Sequence, residues 1–173
     1  MANNTKKKEK NIESIIYQAV EAGRIAAERT ARDAFKATER RLYAIPDLRE
    51  KLKDDEEELN DTRLYGLKER SHSITRFFKS SVRLTPEEIL EAVTIDLEAN
   101  IAATRHELEV LEKALASIED DPYYLTVYGK YVERMKDGDI ADKIPCDQTT
   151  VWRNRKRLIQ RVAVRLYGVE AVK

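Results

Sequence analysis

An apolar three-four alternation that begins at Leu90 and still runs at Ile118 sets the architecture this chain can adopt. Its positions are Leu90, Leu97, Ile101, Leu108, Leu111, Leu115 and Ile118, with Thr94 and Thr104 filling two further places. Residues three and four apart share one side of a helix, so over four heptads this is a coiled-coil seam. The helix has a defined start at Thr85-Pro86-Glu87-Glu88: a threonine cap, proline at the first helical position, and glutamate three residues after the cap. It is expected to run to about residue 119. Its stripe can be covered in cis by other helices or in trans by a second copy, and the sequence leaves both open.

The remaining chain is compatible with helices throughout. There are only five glycines and four prolines in 173 residues, and 37 % of side chains are charged. No run of alternating β-branched residues argues for a sheet. Residues 11–43 read as one helix with a small-residue stripe through Ile15, Ala19, Ala26 and Ala27. Ile45-Pro46 should break it, because a residue before proline avoids helical backbone angles. A second helix over 47–65 carries Leu48, Leu52, Leu59 and Leu64, but an acid stands where the series needs an apolar residue at 55 or 56. The acidic run 54–58 is expected to be a solvated face. Residues 66–86 form an irregular segment, with basic residues and serines around Phe77-Phe78. The fold class expected is therefore all-α. It has a disordered basic tail over 1–10, a helical scaffold or coiled-coil region over 11–119, and a separate C-terminal domain over 120–173.

Several function classes drop out. One cysteine excludes an intrachain disulfide framework and a cysteine-rich zinc site. His72 and His106 lie far apart without the spacing of metal ligands. No nucleophile, base and acid set is visible, so neither catalytic residues nor a cofactor are expected. No apolar run is long enough to span a membrane, and no signal-peptide segment follows the lysine-rich start, so a cytoplasmic protein is expected.

Net charge is zero, but its distribution is uneven. Residues 47–61 hold eight acids, whereas 148–169 hold six arginines or lysines and no acid. Local field matters more than the mean. In this last part, Asp120-Asp121-Pro122 should end the long helix and cap the next. A helix over 122–135 would bury Leu125, Tyr128, Val132 and Met135. A short helix over 139–144 would bury Ile140, Ala141 and Ile144, with Ala141 small enough to let the next helix cross closely. Pro145-Cys146 makes a turn around an idle thiol, and Asp147 caps a third helix whose buried stripe is Val151, Leu158, Val162 and Leu166.

With Val151 inward, Gln148, Thr149, Trp152 and Arg153 point outward near the start of the third helix. This is the end that enters the DNA major groove when three such helices form a helix-turn-helix. Arginine can grip guanine, glutamine can pair with adenine and a threonine methyl can pack on thymine, so these four are the expected base-facing residues. Thr150, Arg155, Lys156, Arg157 and Arg161 are the expected phosphate-facing ones. Trp152 is divided between two placements: on sugar or a thymine methyl, or tucked against the second helix. The partner expected is double-stranded DNA. Because helix-turn-helix proteins are often dimers, a homo-oligomer through the 85–119 helix is favoured.

The stretch from Ile140 to Gly168 resembles the fourth-region helix-turn-helix of bacterial sigma factors. Ile-Ala, then Ile144-Pro145-Cys146-Asp147, then Thr149-Thr150-Val151-Trp152-Arg153-Asn154-Arg155-Lys156-Arg157-Leu158, closing on Leu166-Tyr167-Gly168, resembles more closely the phage-encoded ArpU/RinA-like transcriptional regulators. Upstream, Ala44-Ile45-Pro46-Asp47-Leu48, the 66–71 segment and Asp121-Pro122-Tyr123-Tyr124 are similar too. The resemblance implies a phage or prophage regulator at a late-gene promoter in a bacterial host, nucleoid-associated, with RNA polymerase as a further partner. One departure is the end of the first helix. Sigma-like domains commonly carry glycine there, where this chain has Arg134-Met135-Lys136.

Two other readings compete with a sequence-specific regulator. A phage small terminase subunit also joins a helix-turn-helix to helical oligomerisation segments. A coiled-coil interaction protein could instead direct its basic helix at an acidic partner.

Overall fold

The computed structural model describes residues 34–67 and 85–168, which form six helices and no strand. The fold is all-α. The expectations for the basic tail, for residues 11–33 of the first helix and for 68–84 of the irregular segment lie outside the described residues.

Helix α1 (Ala34–Tyr43) and helix α2 (Ile45–Tyr65) meet at a single turn residue, Ala44. The Ala44 N–H is shared between the carbonyls of Arg40 and Arg41, at 3.2 Å each, and Leu48 donates to Ala44 at 2.8 Å. The first helix thus ends at Tyr43, as the Ile45-Pro46 break implied, and the second begins two residues earlier than expected. Pro46 sits in the first turn of α2, where a missing N–H costs little. Leu42 and Ile45, on either side of the kink, are both fully buried and anchor it. The α2 stripe comprises Leu48, Leu52, Asp55, Leu59 and Thr62, all wholly or partly buried, whereas Leu64 is exposed. Asp55 takes the place of the missing apolar residue and pairs with Lys51.

Helix α3 (Pro86–Ala116) begins as expected. The Thr85 hydroxyl accepts from the Glu88 N–H at 3.2 Å, and the Glu88 carboxylate accepts from the Thr85 N–H at 2.8 Å. Two of the end's unsatisfied donors are thus closed reciprocally. Its buried side runs Val93, Leu97, Ile101, Thr104, Leu108, Leu111, Leu115 and Ile118. Val93 rather than Thr94 lies on the seam, and the Thr94 hydroxyl instead donates to the Leu90 carbonyl at 2.8 Å. The regular helix stops three residues short of 119. A turn follows, and the Asp121 carboxylate accepts from the Tyr123 N–H at 3.0 Å.

The described chain divides into two compact units, one of residues 50–67 and 85–105, the other of 34–49 and 106–168. In the first, Arg63 pairs with Glu98 at 2.6 Å and Glu56 with Arg105 at 2.7 Å. Positions descend along α2 as they rise along α3, so the two segments are antiparallel. Glu56 is thus an ion-pair partner as well as part of a solvated face.

The second unit holds helix α4 (Leu125–Tyr131), helix α5 (Asp137–Lys143) and helix α6 (Gln148–Tyr167). It does not begin at residue 120, since α1 packs along α6 and the end of α3 belongs to it. The reason lies in α6, which buries Val151, Leu158, Ile159, Val162 and Ala163. That stripe is wider than two short helices can cover. The buried side of α4 is also not the expected one: Thr126, Val127, Gly129 and Tyr131 are buried, while Leu125, Tyr128, Val132 and Met135 are only partly so.

Candidate nucleic-acid interface

Helix α5 starts two residues before the expected position, with Asp137 and Asp139 in its first turn. Acids there suit the positive end of the helix dipole. Ile140 and Ala141 are buried as expected and pack with Val151 of α6, while Met135, Ile144 and Cys146 close the edge of this cluster. The Cys146 thiol is part of the packing. A Cβ on Gly129 would lie 3.2 Å from Met135 Sδ and 3.4 Å from Ile140 Cγ1, so the absent side chain lets α4 approach α5.

The chain leaves α4 through Arg134, at φ 55°, and the Met135 N–H reaches back to the Gly129 carbonyl at 2.8 Å. An arginine thus takes the left-handed angle that glycine holds most easily.

Asp147 caps α6. Its carboxylate accepts from the Thr150 N–H at 2.9 Å and from the Thr150 hydroxyl at 2.7 Å. These bonds, the hydroxyl first, hold the Asp147 carboxyl below its ordinary range. Both Thr150 donors are therefore occupied, which corrects the expectation that Thr150 holds a phosphate.

Beyond the cap, Gln148, Thr149, Trp152, Arg153 and Lys156 are all exposed. Trp152 is 54 % exposed, so it is not tucked beneath α5. The Lys156 ammonium lies 5.5 Å from the centroid of the Trp152 ring, within cation–π range. No protein-family model, curated protein or solved structure matches this chain. What the surface of α6 can do rests on its own geometry.

Arg155 is not on that surface. Only 8 % exposed, it donates through Nη1 and Nη2 to the two oxygens of Asp137, at 2.9 Å each. Lys130 adds a contact to Asp137 at 3.0 Å. Burial works against the Arg155 charge, but the paired carboxylate outweighs it and raises the guanidinium pKa. In return, Arg155 above all, helped by Lys130, lowers the Asp137 carboxyl to about 2. Arg155 thus ties α5 to α6 and is withdrawn from the phosphate-facing set. The sequence held the signal: position 155 is four after Val151 and three before Leu158, on the buried stripe.

Arg157 and Arg161 are about half-exposed, and both face Asp121. Arg157 is bidentate on that carboxylate at 2.9 and 3.0 Å and also donates to Asn154. Four N–H contacts leave little of its fork for another anion. Arg161 holds Asp121 more loosely, at 3.4 Å. Asp121, only 11 % exposed, is kept below its usual pKa chiefly by Arg157.

Tyr131 is a further residue that sequence reasoning missed. Only 1 % exposed, it donates its hydroxyl to Glu39 at 2.6 Å and meets the Tyr43 ring edge-on at 4.6 Å. Burial, then the Glu39 bond, pushes its pKa upward. Among the described residues no group of histidine, cysteine and acid side chains could hold a metal ion, and no helix is long and apolar enough to cross a membrane.

Proposed function

We propose that α5, the 144–147 turn and α6 form a helix-turn-helix that reads double-stranded DNA, and that the chain is a sequence-specific transcriptional regulator acting without catalysis. One observation carries this reading. The capped start of α6 presents Gln148, Thr149, Trp152, Arg153 and Lys156 to solvent on one side, while Val151, Leu158 and Val162 are buried on the other. An acid-free helix with this division suits insertion into a major groove. Gln148, Thr149, Trp152 and Arg153 face the bases. Lys156 and Arg161 meet phosphates, and Arg157 does so only by loosening Asp121. The resemblance to ArpU/RinA-like regulators fits a phage or prophage origin and recruitment of RNA polymerase.

Selection of bound sites from random duplexes, followed by affinity measurement on the selected and a scrambled duplex, tests it. Arg153→Ala is expected to weaken the selected site by about 1–3 kcal/mol while leaving scrambled DNA little changed. Equal losses on both duplexes would remove the base-reading role.

A further inference from the structure

Beside the exposed side of α6 lies a cleft of about 400 Å³, walled by α1, α4 and α6. Its lining includes four aromatic rings, Phe35, Tyr43, Tyr131 and Trp152, together with Lys130, Arg155, Lys156 and Glu39. The volume is in the range of small-molecule sites, which join apolar walls to a few fixed polar groups. Two of the rings are held in place. Tyr131 is anchored by its bond to Glu39, and Tyr43 stands edge-on to it at 75°. Tyr43 and Trp152 remain 41 % and 54 % exposed, so both rings can be reached from solvent.

The charges select the kind of occupant. Lys130 and Arg155 are already balanced by Asp137, and the Tyr131 hydroxyl engages Glu39. Among the described residues Lys156 faces no carboxylate, and its ammonium lies over the Trp152 ring. The cleft thus offers ring faces and, against the two acids Glu39 and Asp137, three cations, of which Lys156 has no carboxylate partner among the described residues.

We propose that this cleft binds a small planar aromatic monoanion, its ring against Trp152 and Tyr43 and its carboxylate on Lys156. Since both Trp152 and Lys156 belong to the DNA-facing surface, an occupant engages two side chains that DNA also requires. This second step rests on the proposed function: the ligand weakens DNA binding, and the site is an effector pocket.

Trp152 is the chain's one tryptophan and lines this cleft, so its fluorescence responds to a ligand bound there. The full chain is titrated with benzoate, and in parallel with cyclohexanecarboxylate, which lacks a π face, and benzyl alcohol, which lacks the charge. Benzoate is expected to give a saturable change with a midpoint near or below about 1 mM, and the other two none. Lys156→Gln and Tyr43→Leu, each with its helical circular dichroism checked, are expected to raise that midpoint about fivefold or more. A response that never saturates, is equal for all three compounds, or is unchanged in both variants would overturn the pocket.

A DNA shift assay with and without saturating benzoate then tests the coupling. Wild type should lose affinity in benzoate, while Tyr43→Leu, with its weakened pocket, should need about fivefold more benzoate for the same loss. Benzoate that saturates Trp152 yet leaves DNA affinity unchanged would refute the coupling. Absence of any DNA binding would refute the proposed function and leave the fluorescence result standing.

Discussion

Arg155 and Asp137, 18 residues apart, meet as a two-bond pair with both N···O distances at 2.9 Å. The partners are not equivalent. Arg155 is 10 % exposed at its side chain, while Asp137 is 35 % exposed and has Lys130 as a second cation at 3.0 Å. Removing the acid leaves a buried guanidinium without its carboxylate; removing the base leaves an acid that keeps a partner and reaches water. Asp137→Asn should therefore cost about 2–3 kcal/mol, and Arg155→Met less than about 1 kcal/mol, because the thioether chain fills the same space. Urea unfolding of the two variants checks this; equal losses would contradict the asymmetry.

The same pair sets an acid limb. The Asp137 carboxyl is lowered from 3.8 to about 2 by Arg155 and then Lys130. A folded-state pKa below the unfolded one gives stability that is full above pH ~4 and is lost as pH falls towards ~2. With a third of the group in water, its share is on the order of 1 kcal/mol. The difference in unfolding free energy between wild type and Asp137→Asn, measured from pH 6 downward, should shrink through that window. A constant difference would count against the assignment.

Lys156 and Arg157 are neighbours with different commitments. Among the described residues Lys156 touches only the Trp152 ring, whereas Arg157 grips Asp121 through two bonds. Lys156→Ala should reduce the slope of log K against log salt by about 0.9 on any duplex. Arg157→Ala should change that slope less and lower the thermal midpoint instead. The reverse order would show that Arg157 leaves Asp121 to bind phosphate.

Arg134, at φ 55°, also pairs with Asp47. Alanine there removes the pair and keeps the unfavourable angle; glycine removes the pair and accepts the angle. Arg134→Gly should be more stable than Arg134→Ala by about 1 kcal/mol, some 2–4 °C in Tm. Thermal scans of the two variants decide it, and an alanine variant as stable as glycine would argue against a left-handed turn.

Local features were legible in the chain. The Thr85–Glu88 box and the Asp147 cap are decided within four residues, so reading their types in order was enough to place them. The buried positions Ile140, Ala141, Val151, Leu158 and Val162 follow from periodicity alone. So does the outward set Gln148, Thr149, Trp152 and Arg153, once Val151 faces inward. The break at Ala44 was half-legible: Pro46 marks the place, but the second helix begins two residues earlier than expected, where Ile45 is buried.

The sequence by itself determined that the described chain is helical, where the capped helices α3 and α6 begin and which side of α6 is apolar, because propensity, capping and period act over one or two turns; the start expected at Asp121-Pro122 lies at Leu125 instead. Only the tertiary structure decided that Arg155 is an internal tie, that Arg157 is held by Asp121, and that Tyr131 rather than Tyr128 is buried. Those outcomes depend on partners 18, 36 and 92 residues away. A charged or aromatic side chain looks the same in a linear chain whether it will meet water or a partner; packing assigns it one or the other.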